Sequence, residues 1–374
     1  MRLITIVGVM LITSMILAQT PGDQMSDFEK YKLEQEKNEE DYHKFANNFQ
    51  AYQDQEFIKY EKYIEDMWGD FKESSPKTWV GYSEDFSGRT SVDFDSSKVV
   101  VEVVVEENSS NEEVKQKLEA LTKKILEEKD ETGKTILEGQ VASPDNPNQA
   151  IKPDDAKDVV AKANLVEKKV NGKKVYSLNL NLVSDSDKKR IAKYEKLISK
   201  YCKEAGIEPA LALAIIKTES CFNPRAYNRT GNAYGMMQIV PKYAGRTMNK
   251  ILYKKDKEPG GKILFNPEKN LKMGIHFLGH LKSTSWKKIK NEINQRYCVI
   301  CSYNGGSGAI YIALAGKTSK IPQEKWDNMM TLLNSNDNKK VYDLLHTKSW
   351  EETRHYIKVV EERYAQYLGY NAKL

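Results

Sequence analysis

The stretch Pro209 to Thr218, PALALAIIKT, constrains this chain more than any other. Pro209 suits a first helical position, where its missing N–H would have had no intrahelical partner. Leu211 and Ile215 lie two turns and one turn before Glu219, and Ile216 lies at i−3, so an apolar stripe runs up to a carboxylate. Asn223-Pro224 stops the helix, because the residue before a proline is pushed out of the helical region. The pattern predicts a buried helix with Glu219 at its C-terminal end. There, desolvation and the negative end of the helix dipole both disfavour the charged carboxylate and raise its pKa. A carboxylic acid that keeps its proton near neutrality can serve as a general acid. The plainer reading is a helix-terminal glutamate that reaches solvent past a core stripe.

Two further stretches bear on that choice. Gly235-Met236-Met237-Gln238-Ile239 is an apolar run with a single amide inside it, reached through a Gly231-Asn232 turn. Ser302-Tyr303-Asn304-Gly305-Gly306 sets an aromatic and an amide before a glycine pair, predicting a turn where backbone can approach a ligand closely. In this order, the three stretches resemble the signatures of the lytic transglycosylase domain of goose-type lysozyme fold. Glu352-Thr353-Arg354 with Tyr356 and Val359 is similar to that family's closing helix, whose tyrosine faces the cleft. The likeness, to transglycosylases of the membrane-bound murein type C, runs upstream through Met67-Trp68-Gly69, Tyr82, Arg89, Phe94-Asp95 and the Leu178–Val183 strand. It covers roughly Phe57 to Ala365.

The resemblance implies an α+β N-terminal accessory domain followed by a mainly α, lysozyme-like (goose-type) catalytic domain. Expected boundaries are 1–18 for an export signal, 19–75 for a charged helical spacer, 76–185 for the accessory domain and 186–374 for the catalytic domain. Met1-Arg2 followed by the apolar Leu3 to Ala18 has the basic start and small-residue finish of a signal. The family's lipoproteins carry a cysteine just after the signal; here the first cysteine is Cys202. The expectation is therefore export to the periplasm or cell envelope, with membrane association left open. Net charge is +5, spread over interspersed lysines and glutamates, which fits an acidic wall polymer and is too diffuse for nucleic acid.

Trp79 to Tyr82, Thr90 to Phe94 and the β-branched Val99 to Val105 read as strands. Val114, Leu118, Leu121 and Ile125 mark an amphipathic helix over Glu112 to Glu127. Asn171-Gly172 is a hairpin signal leading into a strand over Val175 to Val183. A helix over Lys188 to Ala205 follows, ended by Gly206. Asn249 to Phe265 reads as a lysine-rich loop over the cleft. Two or three helices between Pro322 and Tyr370 complete the chain. Cys202, Cys221, Cys298 and Cys301 are an even number in an exported chain, which allows disulfides; Cys221 with Cys301 is one pairing, and buried free thiols are the other. No ligand spacing for a metal is present.

Glu219 is the only acid between Pro209 and Ile239, and Tyr297 to Ala309 holds none. Ordinary glycosidases flank the bond with two carboxylates. The resemblance implies that the substrate supplies the missing group. Glu219 protonates the glycosidic oxygen between N-acetylmuramic acid and N-acetylglucosamine, then takes the proton of the muramoyl C6 hydroxyl as that oxygen attacks C1. The product is a 1,6-anhydro end, made without water and without a cofactor. The implied partner is the peptidoglycan glycan strand. Gln238, Tyr303, Asn304 and Met237 are the implied substrate contacts, with Tyr356 packed near the acid and Ser220 supporting its turn. Where the family places a serine ahead of the Gly-x-Met-Gln motif, this chain has Asn228, whose amide can also donate to an acetamido carbonyl. Two alternatives stay open: a lysozyme-type muramidase hydrolysing the same bond, and a non-catalytic glycan-binding scaffold.

Overall fold

The computed structural model describes residues 31, 32, 34, 36, 37, 52, 55–317 and 319–370; the expected signal at 1–18 and the spacer aromatics Phe45 and Phe49 lie outside them. The chain divides into two compact units, Met1–Tyr63 and Ile64–Leu374. The described residues of the first are helical.

The second unit opens on helical residues 64–68, where Ile64 and Trp68 are fully buried. Trp68 donates its indole N–H to the Phe86 carbonyl at 3.0 Å and lies under the Arg89 guanidinium. An antiparallel sheet follows. Its strands are β1 (Thr78–Tyr82), β2 (Gly88–Asp93), β3 (Lys98–Glu106), β6 (Val166–Val170) and β7 (Lys173–Asn181), in the order β1-β2-β3-β7-β6. A small hairpin, β4 (Ala142–Ser143) with β5 (Asn146–Ala150), precedes β6. Alternation places Val99, Val101, Val103 and Val105 of β3 on one face, against Val114, Leu118 and Ile125 of helix α1 (Asn111–Glu127). On the opposite face Glu102 takes a charged bond from Arg89 at 2.8 Å and another from Lys72 at 2.8 Å. Asn171 and Gly172 join β6 to β7 with φ of +48° and +78°, the two left-handed positions that such a hairpin needs. A short helix α2 (Ala156–Lys162) completes this half.

The other half is helical: α3 (Ser186–Ala205), α4 (Pro209–Ser220), α5 (Arg246–Tyr253), α6 (Gly261–Leu264), α7 (Pro267–His280), α8 (Glu292–Ala315), α9 (Gln323–Asn334), α10 (Asn338–Lys348) and α11 (Glu351–Tyr367). Helix α4 is buried almost all round, from Ala210 to Ile216, and α11 packs along it through Ile357 and Val360. The two halves are bonded to each other. Arg190 of α3 donates to the Gln140 side-chain carbonyl at 3.0 Å, Tyr194 donates to Asp130 at 2.9 Å, and the Asn223 amide donates to the Pro76 carbonyl at 3.1 Å.

Three expectations change. Asn249 to Phe265 is not a loop: α5 occupies Arg246–Tyr253 and α6 Gly261–Leu264. Met248 and Leu252 of α5, four residues apart, meet the core, and the lysines that masked this period face outward. Tyr303 to Gly306 is not a turn but the middle of α8, broken only at Gly306 (φ 67°, ψ 177°). Helix α4 stops at Ser220, ahead of Asn223-Pro224, because Cys221 turns left-handed (φ +53°). All four cysteines are buried free thiols. Cys221 donates its S–H to Asp95 at 3.2 Å, while Cys301 lies in the helical core.

Candidate active site

Glu219 is the second-to-last residue of α4, and the chain around it is tied down on all sides. Ser220 donates to the Met236 carbonyl at 2.8 Å, fastening the helix end to the Gly235–Gln238 segment. Cys221 and Phe222 both hold positive φ, +53° and +62°, a conformation that residues with side chains adopt only when surroundings impose it. Here Arg190 Nε donates to the Cys221 carbonyl at 3.0 Å, the Asn223 N–H donates to the Ser220 carbonyl at 3.0 Å, and the Phe222 ring is fully buried.

The Glu219 carboxyl is half-buried and accepts one bond, from the Tyr356 hydroxyl of α11, at 2.6 Å. Burial pushes its pKa up to about 7. The Tyr356 bond opposes that rise, the negative charge of Glu352 adds to it, and the positive charge of Lys77 opposes it. Burial likewise holds the Tyr356 and Tyr303 hydroxyls far above the usual phenol range, with Glu219 adding to both, so each stays a donor.

A cleft of about 520 Å³ has Gln238, Phe277, Tyr303, Asn304, Trp350 and Glu352 in its wall. Glu219 and Tyr356 are not among its lining residues; the acid is linked to it through the wall residues Tyr303 and Glu352, with which its charge interacts. Tyr303 is fixed by donating its hydroxyl to the Met237 carbonyl at 2.7 Å, and its ring leans on Phe277, 5.9 Å between centroids. Asn304 is held at both ends. Its amide N–H donates to Glu352 at 2.9 Å, and its carbonyl accepts from Thr353 at 2.8 Å. Gly305 permits this clamp: a Cβ there would sit 2.5 Å from Thr353 Oγ1. Gln238, at φ +44°, spends one amide proton on the Gly235 carbonyl at 2.9 Å. Its side-chain carbonyl oxygen is buried and finds no hydrogen-bond partner among the described residues. A buried acceptor in a cleft wall is unfavourable until a ligand N–H or O–H reaches it.

Gln238, Tyr303 and Asn304 thus share one cleft, with Glu219 and Tyr356 bonded to each other alongside. The other two named residues lie elsewhere. Met237 is fully buried, packed on Gly274, and enters the site only through its backbone carbonyl. Asn228 closes its own hairpin by accepting from the Gly231 N–H at 2.9 Å, and does not line the cleft. Sequence reasoning missed Lys77 of the sheet half and Trp350, and it quoted Asp95 and Thr353 only as part of the resemblance, with no role in the site. It placed Glu352 in the closing helix without giving it a role in the cleft. The spacing of Glu352, Thr353 and Tyr356 on one helix, at i, i+1 and i+4, is the one local sign that two of them share a face.

A carboxyl whose pKa burial raises to about 7, at the end of a buried helix and near a cleft with an unpaired amide oxygen and aromatic walls, defines a class: a lysozyme-like domain that cleaves glycosidic bonds. Residues 196–325 match the family model described as Transglycosylase SLT domain, and residues 42–193 match that described as Membrane-bound lytic murein transglycosylase C, N-terminal domain. A membrane-bound lytic murein transglycosylase C of Pectobacterium atrosepticum is 30% identical over 325 residues, covering 81% of this chain and 87% of that protein. One of Salmonella typhimurium is 30% identical over 319 residues, covering 79% and 84%. Among solved structures, the 70 kDa soluble lytic transglycosylase of Escherichia coli aligns over 47% of this chain and 24% of its own, at 22% identity and a TM-score of 0.33. The chain belongs to the membrane-bound lytic murein transglycosylase C family.

Proposed function

We propose that this protein is a peptidoglycan lytic transglycosylase of the cell envelope, with Glu219 as its single acid and base. The supporting observation is the Glu219 carboxyl itself, raised to about 7 by burial and aligned by the 2.6 Å bond from Tyr356. In that state it can give its proton to the oxygen between N-acetylmuramic acid and N-acetylglucosamine as the C1–O bond breaks. The electron pair goes to the leaving oxygen and positive charge gathers at C1. The carboxylate so formed takes the proton of the muramoyl C6 hydroxyl, whose oxygen closes on C1. An intramolecular hydroxyl has a high effective concentration, so no water need be bound. The orphan Gln238 oxygen suits an acetamido N–H, and Tyr303 and Trp350 offer faces for sugar rings.

Glu352 is a second carboxylate in the cleft wall, but it is exposed and already accepts the Asn304 amide proton. Its role here is to hold Asn304 and to keep Glu219 protonated. The domain boundaries given above, export, and the supporting role of the sheet half belong to the same proposal. The test is mass spectrometry of muropeptides released from purified wall. Wild type should yield anhydro ends, and Glu219→Gln should lower their rate by roughly three orders of magnitude. Reducing ends, heavier by one water, would mean hydrolysis instead, and an active Glu219→Gln would remove the acid from the mechanism.

A further inference from the structure

The turn between β2 and β3 carries a carboxylate, Asp95, that the turn itself does not need. Asp93 closes it, accepting the N–H groups of Asp95 at 2.9 Å and Ser96 at 3.0 Å. The Asp95 side chain faces the helical half instead, and its two oxygens take different partners. Oδ1 accepts the thiol of Cys221, two residues after Glu219, at 3.2 Å, and Oδ2 pairs with Lys77 Nζ at 3.3 Å. Partial burial would raise its pKa, but the Cys221 bond and the Lys77 charge outweigh burial and hold it below the usual carboxylate range, so it stays an anion. Burial pushes the Cys221 thiol up to about 11, so it stays a donor. Lys217, a second cation acting on Asp95, is already held by Asp187 at 2.6 Å. The backbone of Lys77 is pinned independently: the Phe94 N–H donates to its carbonyl at 3.0 Å, and the Asn223 amide holds the Pro76 carbonyl. The groups that act on Glu219 are Tyr356 and Glu352 of α11, Tyr303 of α8 and Lys77, and Lys77 is the one cation among them.

Resting on the proposed function, we infer that Asp95 is a positioning residue for Glu219: through Cys221 it grips the end of α4, and as a counter-ion it answers the charge of Lys77. The first contact fixes where the acid stands, because Cys221 is the left-handed residue (φ +53°) at which the helix ends. The second fixes when the acid is protonated. Without the Asp95 charge, Lys77 keeps its backbone place beside the helix end, and Glu219 becomes the anion left to it. The ammonium then favours the carboxylate form, and the acid loses its proton at lower pH. Asp95 thus lets the sheet half hold the helix end without stripping the acid of its proton.

The test is a set of pH–rate profiles for anhydro-end formation by the full chain at low salt. Asp95→Asn keeps an acceptor for the Cys221 thiol and removes only the charge. Because the ion pair is partly screened by solvent, the high-pH fall should come down by about half a unit, a roughly threefold lower rate at pH 8. That loss should shrink as pH falls toward 5, where the acid is protonated in both proteins. Asp95→Asn/Lys77→Gln should regain the lost rate at pH 8, although it carries one more substitution. Asp95→Ala, which also drops the thiol's acceptor, should add a loss in kcat that is the same at every pH. Cys221→Ala should show that second loss alone, and Cys221→Ser, which still donates, should restore it. A loss for Asp95→Asn that is equal at every pH, or that Lys77→Gln does not relieve, would leave Asp95 a structural residue only and overturn the inference. Failure of the functional reading shows separately: wild type would make no anhydro ends, or Glu219→Gln would still make them.

Discussion

Replacing Glu219 by glutamine should make the protein more stable, and only above acidic pH. The carboxyl titrates near 4.5 when unfolded and near 7 in place. Below pH 4.5 it is neutral in both states and costs the fold nothing. As pH rises through that window the unfolded chain gives up the proton first, so the native state is progressively disfavoured. Above pH 7 the full cost is reached, about 3 kcal/mol at about 1.4 kcal/mol per unit of pKa difference. Glutamine is close in shape, can still accept from Tyr356, and never ionises. The assay is thermal and urea unfolding of wild type and Glu219→Gln at pH 4.5 and pH 8. At pH 4.5 the two should nearly coincide; at pH 8 the variant should melt on the order of 5–10 °C higher. A gap that is the same at both pH values, or a variant less stable at pH 8, would refute the claim that burial holds this group neutral.

Two other outcomes follow from the same geometry. Activity needs the protonated acid, so the rate of anhydro-end formation should fall as pH rises through about 7. Glu352→Gln, removing a charge that raises Glu219, should move that fall to lower pH, while Lys77→Gln should move it higher; a pH–rate profile of kcat/KM in which both shift the same way would contradict the electrostatic assignment. Gly235→Ala should cost about 3 kcal/mol or more, because Gly235 sits at φ +69° and a Cβ would stand 2.4 Å from the Asn270 amide nitrogen and 2.5 Å from the Leu264 carbonyl oxygen. Its far- and near-ultraviolet circular dichroism on heating reads that loss.

Local signals reached the acid and stopped short of its neighbours. The stripe from Leu211 to Ile216 places Glu219 at a buried helix end because helical period and burial are written within one turn or two. The strands, the Asn171-Gly172 hairpin and the helix at Asn111–Glu127 were legible for the same reason. Helix α5 was not: it is only eight residues long, its Met248 and Leu252 give a single i, i+4 pair, and the lysine-rich stretch Lys254 to Lys257 follows directly. The break in α8 falls at one glycine, Gly306, and nothing in Tyr303-Asn304-Gly305-Gly306 says that helix continues on both sides of it. Asn304 looked like a free ligand group, yet Glu352 and Thr353, almost fifty residues away, occupy both ends of its amide. Asn228 looked like a substitute for a missing serine, and its side chain is bound to its own turn instead.

The charges around Glu219 come from opposite ends of the chain, and this gives the sheet half a part in the chemistry. Glu352 stands on α11 and raises the carboxyl; Lys77 stands just before β1 and lowers it. Lys77 is kept near by the bond from Asn223 to the Pro76 carbonyl and by its own ion pair with Asp95, 3.3 Å. Asp95 in turn accepts the Cys221 thiol two residues after the acid, and Gln140 receives Arg190, which holds the Cys221 carbonyl. The strained left-handed pair Cys221-Phe222 is therefore gripped from the sheet side. A helical half expressed without residues 64–185 would lose Lys77, Asp95 and Gln140 together. Its acid would titrate higher for want of the lysine, and its helix end would relax for want of the other two. Its residual activity should fall by more than the pH shift alone explains, and restoring the sheet half as part of the same chain should restore both.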